Sequence, residues 1–200
     1  MPKPFASTSC IILSAGSSER MGTHKSLLKF DAEKSFIEKI TETYLQVGVE
    51  QIIVVVTTEL SPLLEKEISH LGKNVHLVTN HYPGLGRFYS LQRGVQHLKF
   101  DNYCFFQNID NPFATGKLLG DLIIHKEKAD VIIPAFQNRT GHPVLLSPAV
   151  AKDILLQNDP EIRIDQFLKR YNTLKVETSD PSILANINSH EEFLAAGFSL

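Results

Sequence analysis

The sequence predicts an α/β fold in which helices flank one central, mostly parallel sheet. Three observations predict it. Apolar runs of strand length alternate with helix-period segments along the whole chain. The run QIIVVVT at 51–57 is nearly continuous in β-branched residues, as in a strand covered on both faces. Repeated strand-helix-strand order requires right-handed crossovers and a parallel sheet.

In order, CIILSA (10–15) reads as the first strand. A helix follows over 35–47, where Phe36, Ile37, Ile40, Tyr44, Leu45 and Val47 recur at three- and four-residue spacing. After the strand at 51–57, Ser61 opens a helix whose Pro62 sits in the first turn, where a missing N–H costs nothing. VHLVTN (75–80) is a strand, LQRGVQHL (91–98) a helix and YCFFQNID (103–110) a strand. A helix near 115–128, strands VIIPAF (131–136) and HPVLLS (142–147), a helix from Pro148 and another near 163–171 come next. Strands LKVETS (174–179) and ILANIN (183–188) and a short helix from His190 to Ala196 close the chain.

The 200 residues fit a single domain, 1–200, which should bury about 70% of the surface its unfolded chain exposes. Twenty Lys plus Arg against 22 Asp plus Glu leave a formal charge of −2, so charge argues for neither nucleic acid nor an anionic membrane, and a small polar substrate fits better. No run approaches the 18 apolar residues of a spanning helix, and MPKPFASTSC reads as neither a signal nor a transit peptide. Cys10 and Cys104 lie inside apolar runs, as buried thiols of a reducing, cytoplasmic compartment.

The most informative stretch is IILSAGSSERMGTHKSLL, 11–28. A buried strand runs into the small-residue loop Ser14, Ala15, Gly16, Ser17 and Ser18, followed by Arg20, Gly22 and Lys25. In α/β sheets ligands bind beyond the carboxyl ends of the strands. Small residues let backbone N–H groups approach phosphate oxygens, while a guanidinium and an ammonium supply countercharge, which together describe a triphosphate cradle. A Walker A loop needs its lysine directly after the second glycine, whereas Lys25 comes three residues after Gly22; G-x-G-x-x-G is absent as well.

This segment resembles the signature L-x-x-G-x-S-x-R-M-G-x-x-K-x-L-L of the MobA-like nucleotidyltransferases through Leu13, Gly16, Ser18, Arg20, Met21, Gly22, Lys25, Leu27 and Leu28, and most closely the molybdenum cofactor cytidylyltransferases. The resemblance implies a Rossmann-like fold of the glycosyltransferase-A type. It also implies transfer of a nucleoside monophosphate from a triphosphate, with CTP favoured, to a phosphorylated acceptor such as molybdopterin, releasing pyrophosphate. Mg²⁺ or Mn²⁺ would serve as cofactor, and a protein partner would receive the finished product.

NHYPGLGRFYSLQRG (80–94) resembles a family stretch through Asn80, Gly86, Ser90, Leu91 and Gly94, in which the loop and helix start lie against the nucleobase. A serine hydroxyl and helix-start amides can read a base edge; the other reading is a turn followed by an ordinary first helical turn. Tyr82, Phe88 and Tyr89 read as packing residues. Asp110 ends an apolar strand before an Asn-Pro turn and reads as the first metal ligand, matching the aspartate of the family's G-D-x-P although Ile109 replaces the glycine. Thr115 is the better cap for the next helix.

The second metal position departs from the cytidylyltransferase ending D-I-D-T-P-E-D, because this chain has Asn186, Ile187, Asn188, Ser189 and His190. Asparagine offers a neutral oxygen, so cation affinity should fall. This ending leans toward the guanylyltransferases of the same pathway, whereas Ser14-Ala15-Gly16 leans toward the cytidylyltransferases. Gly141, His142, Pro143 and Val144 resemble the family's G-H-P-V segment on the acceptor side. Asp159 and Arg163 resemble its G-D-x-G-x-R, with Asn158 and Glu161 in place of the glycines, which implies a changed loop path. In the expected mechanism an acceptor phosphate attacks the α-phosphorus in line, Lys25 meets the charge that develops there, and Arg20 grips the β- and γ-phosphates. The rival readings are a sugar 1-phosphate nucleotidylyltransferase of the same fold and a nucleotide-binding regulatory protein with weakened turnover.

Overall fold

The computed structural model describes residues 4–16, 23–99, 101–159 and 161–198. The first strand, β1 (Thr8–Leu13), is buried at every position, because the sheet continues on both of its edges and helices cover both of its faces. It pairs in parallel with β2 (Gln51–Thr57) and with β4 (Tyr103–Asn108), and β3 (Val75–Asn80) pairs in parallel with β2 on the outer side. Beyond β4 lie β7 (Val144–Leu146), β5 (Val131–Phe136) and the two-residue β6 (Arg139–Thr140), while β8 (Thr173–Glu177) pairs with β5 in parallel.

β7 runs antiparallel to both β4 and β5. Direction is invisible to an apolar run, but the length of chain decides it. Seven residues separate Phe136 from Val144, and a parallel return needs a crossover of a dozen or more. The strand predicted at 142–147 is therefore shorter and reversed, and the sheet is mixed.

Two apolar layers sandwich the sheet. On one face Cys10, Ile12 and Val54 meet α1 (Phe36–Val47), α2 (Ser61–Ile68), α4 (Gly116–Ile123) and Phe193 of α7 (His190–Ala195). On the other, Ile11, Leu13, Ile53 and Val55 meet α3 (Gly86–Val95), α5 (Pro148–Leu156) and Phe167 of α6 (Ile164–Leu168). Gly94 brings α3 onto the sheet: a Cβ there would lie 2.6 Å from Ile11 Cγ2 and 3.1 Å from Val55 Cγ2. α3 begins five residues earlier than the apolar periodicity at 91–98 predicts. Thr115 caps α4 by accepting from the Leu118 N–H.

The strand predicted over 183–188 does not form. Pro181–Leu184 makes a 3₁₀ turn and the chain then runs extended and unladdered to α7. The alternation Ile183, Ala185, Ile187 imitates a strand. Ile183 and Ile187 are buried because the segment lies against the turn after β4, where the Asn111 side chain, rather than a neighbouring strand, takes its carbonyls. No helix is long and apolar enough to cross a membrane among the described residues.

Candidate active site at the strand ends

At the carboxyl end of β1 the chain leaves the sheet as Ser14-Ala15-Gly16. The Ser14 N–H donates to the Val55 carbonyl at 2.9 Å, so this amide continues the ladder and is not open to a phosphate. Gly16 is the first exposed residue, and a Cβ on it would meet nothing within 4 Å. Ser17, Ser18 and Arg20 lie outside the described residues.

A cavity of about 450 Å³ opens here, with Gly16, Lys25, Ser90, Asp110 and Asn188 on its wall. Lys25 opens a 3₁₀ turn, Lys25–Leu27, and its Nζ donates to Asn188 Oδ1 at 2.8 Å. Asp110 follows β4 and is 5% exposed. Its Oδ2 stands 3.6 Å from Arg87 Nη2, and its Oδ1 is buried without a hydrogen-bond partner among the described residues.

The closing segment is sewn to this turn. The Asn111 amide donates to the carbonyls of Ser182 (3.0 Å), Ile183 (3.2 Å) and Ala185 (2.6 Å), and the Ile187 N–H donates to the Asp110 carbonyl at 2.7 Å. Asn188 thereby reaches the cavity of Lys25 and Asp110. Asn186 instead lines a second, larger cavity, so the structure does not bring the three predicted metal ligands onto one wall. An orphaned carboxylate oxygen with a neutral carbonyl oxygen on the same wall fits a divalent cation that completes its shell with phosphate and water. Among the described residues no group of three or more His, Cys, Asp or Glu side chains could hold a metal.

Asn80 and Ser90 have structural partners. Asn80 is fully buried; its Nδ2 donates to Ser90 Oγ at 3.0 Å and its Oδ1 accepts from the Tyr82 N–H at 2.8 Å. Ser90 in turn donates to the Gly86 carbonyl at 3.3 Å. Asn80 thus braces the loop from within, and Ser90 keeps only an acceptor lone pair for a ligand. Gly86 has φ +88°, which a side chain would strain. Phe88 is buried as expected, but Tyr82 is 63% exposed and meets Tyr89 edge-on.

The larger cavity, about 940 Å³, is lined by Gly141, His142 and Arg163 and by Arg87, Arg139, Lys169 and Lys175, against the carboxylates Glu161 and Asp165. Among the described residues of its wall, five cations against two acids make it basic. Arg163 is exposed and donates to Asp165 at 2.9 Å. A Cβ on Gly141 would lie 2.2 Å from the Ile183 carbonyl oxygen, so the glycine lets the closing segment approach. Pro143 follows a cis peptide bond. Asn108 Nδ2 donates to His142 Nε2 at 2.9 Å, which leaves the proton on the buried Nδ1. Burial pushes the imidazole down to about 4, with Arg87 nearby adding to the fall and Asp110 opposing it. His142 is thus a neutral hydrogen-bonding group at neutral pH and supplies no positive charge.

Sequence reasoning did not single out Arg87, Asn108 or Asn111. Asn111 was within reach, since a buried amide beside a strand-end aspartate needs partners.

A family model, the MobA-like NTP transferase domain, matches residues 10–174. The chain belongs to this family. Like its other members, this MobA-like NTP transferase domain is a nucleotidyltransferase. It is 30% identical over 148 residues to a probable molybdenum cofactor guanylyltransferase of Clostridium perfringens, covering 74% of this chain and 69% of the relative. Among solved structures, a nucleotidyl transferase from Methanothermobacter is similar with a TM-score of 0.78 at 24% identity, covering 94% of this chain and 95% of the other. A Mycobacterium tuberculosis protein solved as a manganese complex is similar with a TM-score of 0.71 at 15% identity, covering 94% and 96%.

Proposed function

We propose that the domain, as one unit over 1–200, transfers a nucleoside monophosphate from a triphosphate to the phosphate of a molybdopterin-type acceptor and releases pyrophosphate. One observation carries the reading: Gly16, Lys25, Asp110 and Asn188 share a cavity that adjoins a larger basic one, giving two polyanions adjacent places. Unit charges 4 Å apart repel by about 1 kcal/mol in water and about 4 kcal/mol at an effective dielectric of 20, so such a site must supply positive charge.

In this reading the triphosphate enters the smaller cavity past Gly16. Lys25 turns from Asn188 to the α-phosphate, where its ammonium meets the charge of the in-line displacement. Arg20 grips the outer phosphates. Asp110 and Asn188 would hold Mg²⁺ or Mn²⁺, which when bound neutralises phosphate charge. Little proton transfer is needed, since a phosphate monoester is already an anion at neutral pH.

Guanylyl transfer stands first for the base. The relative's name and the Asn186-Ile187-Asn188 ending support it, and they displace the cytidylyl expectation to second place, where Ser14-Ala15-Gly16 still favours it. The deciding experiment incubates each of the four NTPs with molybdenum-loaded and with metal-free molybdopterin and measures pyrophosphate. Release with GTP and molybdopterin is expected. Release with CTP alone restores the cytidylyl reading, and release only with a sugar 1-phosphate overturns the acceptor.

A further inference from the structure

Arg87 follows Gly86 in the first turn of α3. Three described residues line both cavities, Gly86, Arg87 and Asn108, and Arg87 is the charged one. Its side chain is 68% exposed, so it can move. The 3.6 Å to Asp110 Oδ2 exceeds the roughly 2.7–2.9 Å of a charge-assisted hydrogen bond, and so open a pair is weak. Arg163, the cation that sequence places at the acceptor, donates to Asp165 at 2.9 Å and lines the larger cavity without lining the smaller one. His142, which also lines the larger cavity, carries no charge at neutral pH.

We propose that Arg87 determines acceptor specificity by gripping the acceptor's phosphate where the two cavities meet. The proposal rests on the reading of the larger cavity as the acceptor side. A guanidinium presents a planar fork; Asp110 offers it one oxygen at 3.6 Å, whereas a phosphate offers two in matching geometry. Exchange is therefore favourable once a phosphate arrives. Exchange also has a second effect, since it releases Asp110 Oδ2 into the smaller cavity as the acceptor docks. Before that, Arg87 shields a buried carboxylate that has no other cation at salt-bridge distance among the described residues.

The test compares Arg87→Ala and Arg87→Lys with the parent in two assays. In steady-state turnover with molybdopterin and the preferred triphosphate, Arg87→Ala should raise the acceptor KM about 10–100-fold and leave the triphosphate KM within about two-fold. Arg87→Lys keeps the charge without the fork and should fall between. In calorimetry, phenyl phosphate is titrated into protein saturated with Mn²⁺ and a non-hydrolysable triphosphate analogue, and Arg87→Ala should bind it at least about 10-fold more weakly than the parent. Equal binding by both, or no binding by the parent, overturns the proposal whatever the acceptor is. A rise in the triphosphate KM alone also overturns it, by moving Arg87 to the donor side. If the binding difference is present but molybdopterin gives no pyrophosphate, Arg87 stands and the molybdopterin reading falls.

Discussion

Lys25 is held across the smaller cavity by Asn188, and an entering triphosphate competes with that hydrogen bond by offering the ammonium full negative charge where Asn188 offers a dipole. Lys25→Ala should lower kcat by about 10²–10³ with little change in triphosphate affinity, read by single-turnover pyrophosphate release and by calorimetry. Unchanged turnover would remove Lys25 from the chemistry. At His142 the prediction concerns stability. Its folded pKa is depressed from the ordinary 6.5 to about 4, so the unfolded chain binds the proton more readily. Its stabilising contribution is intact above about 6.5 and is lost as pH falls toward about 4, roughly 2–3 kcal/mol of it by about pH 4.5. Urea unfolding at pH 7 and pH 4.5 should show that loss, and His142→Asn should flatten it. Asp110 was legible because it stands out from an apolar run at a strand end, and Lys25 because it follows a small-residue loop together with Arg20 and Gly22. Arg87 was not, because an exposed side chain in a first helical turn leaves no periodic trace.

At the scale of elements, the closing segment is placed by one side chain. Asn111 is 1% exposed and holds three backbone carbonyls. Asn111→Ala should cost about 1–3 kcal/mol, since an unsatisfied polar group costs about that much and the Ala185 carbonyl alone is orphaned, the Ile183 and Ser182 carbonyls keeping their bonds from the His142 and Ala185 N–H groups. Hydrogen exchange should rise selectively across 181–188 while β1 and β2 stay protected. Uniform destabilisation without that local signature would mean that the segment is held by its apolar contacts instead. The same place shows where reading by periodicity failed. Strands β1 to β4 were plain because a strand covered on both faces has to be apolar throughout. The segment 183–188 alternates like a strand, yet its partners are an asparagine amide and the turn after β4, and these come together only once the chain has folded.

For the molecule as a whole, the coupling of metal, nucleotide and fold gives a global readout. At one hundred times the dissociation constant, a ligand that binds only the folded state adds about 2.7 kcal/mol, which at roughly 2–4 °C per kcal/mol for a chain of this size raises Tm by about 5–10 °C. Mn²⁺ with GTP should produce that rise, and Asp110→Asn should abolish the share that needs the metal, measured by differential scanning calorimetry. An equal rise in the variant would place the cation elsewhere. The packing of α3 bears on how such a ligand gets in. With Gly94 pressed against Ile11 and Val55, the helix cannot tilt inward without a steric collision, so it acts as a rigid anvil. Against that anvil the Pro83–Leu85 turn, whose Pro83 and Gly84 line the smaller cavity, is a short spring fixed at one end by Asn80 and at the other by the helix it precedes.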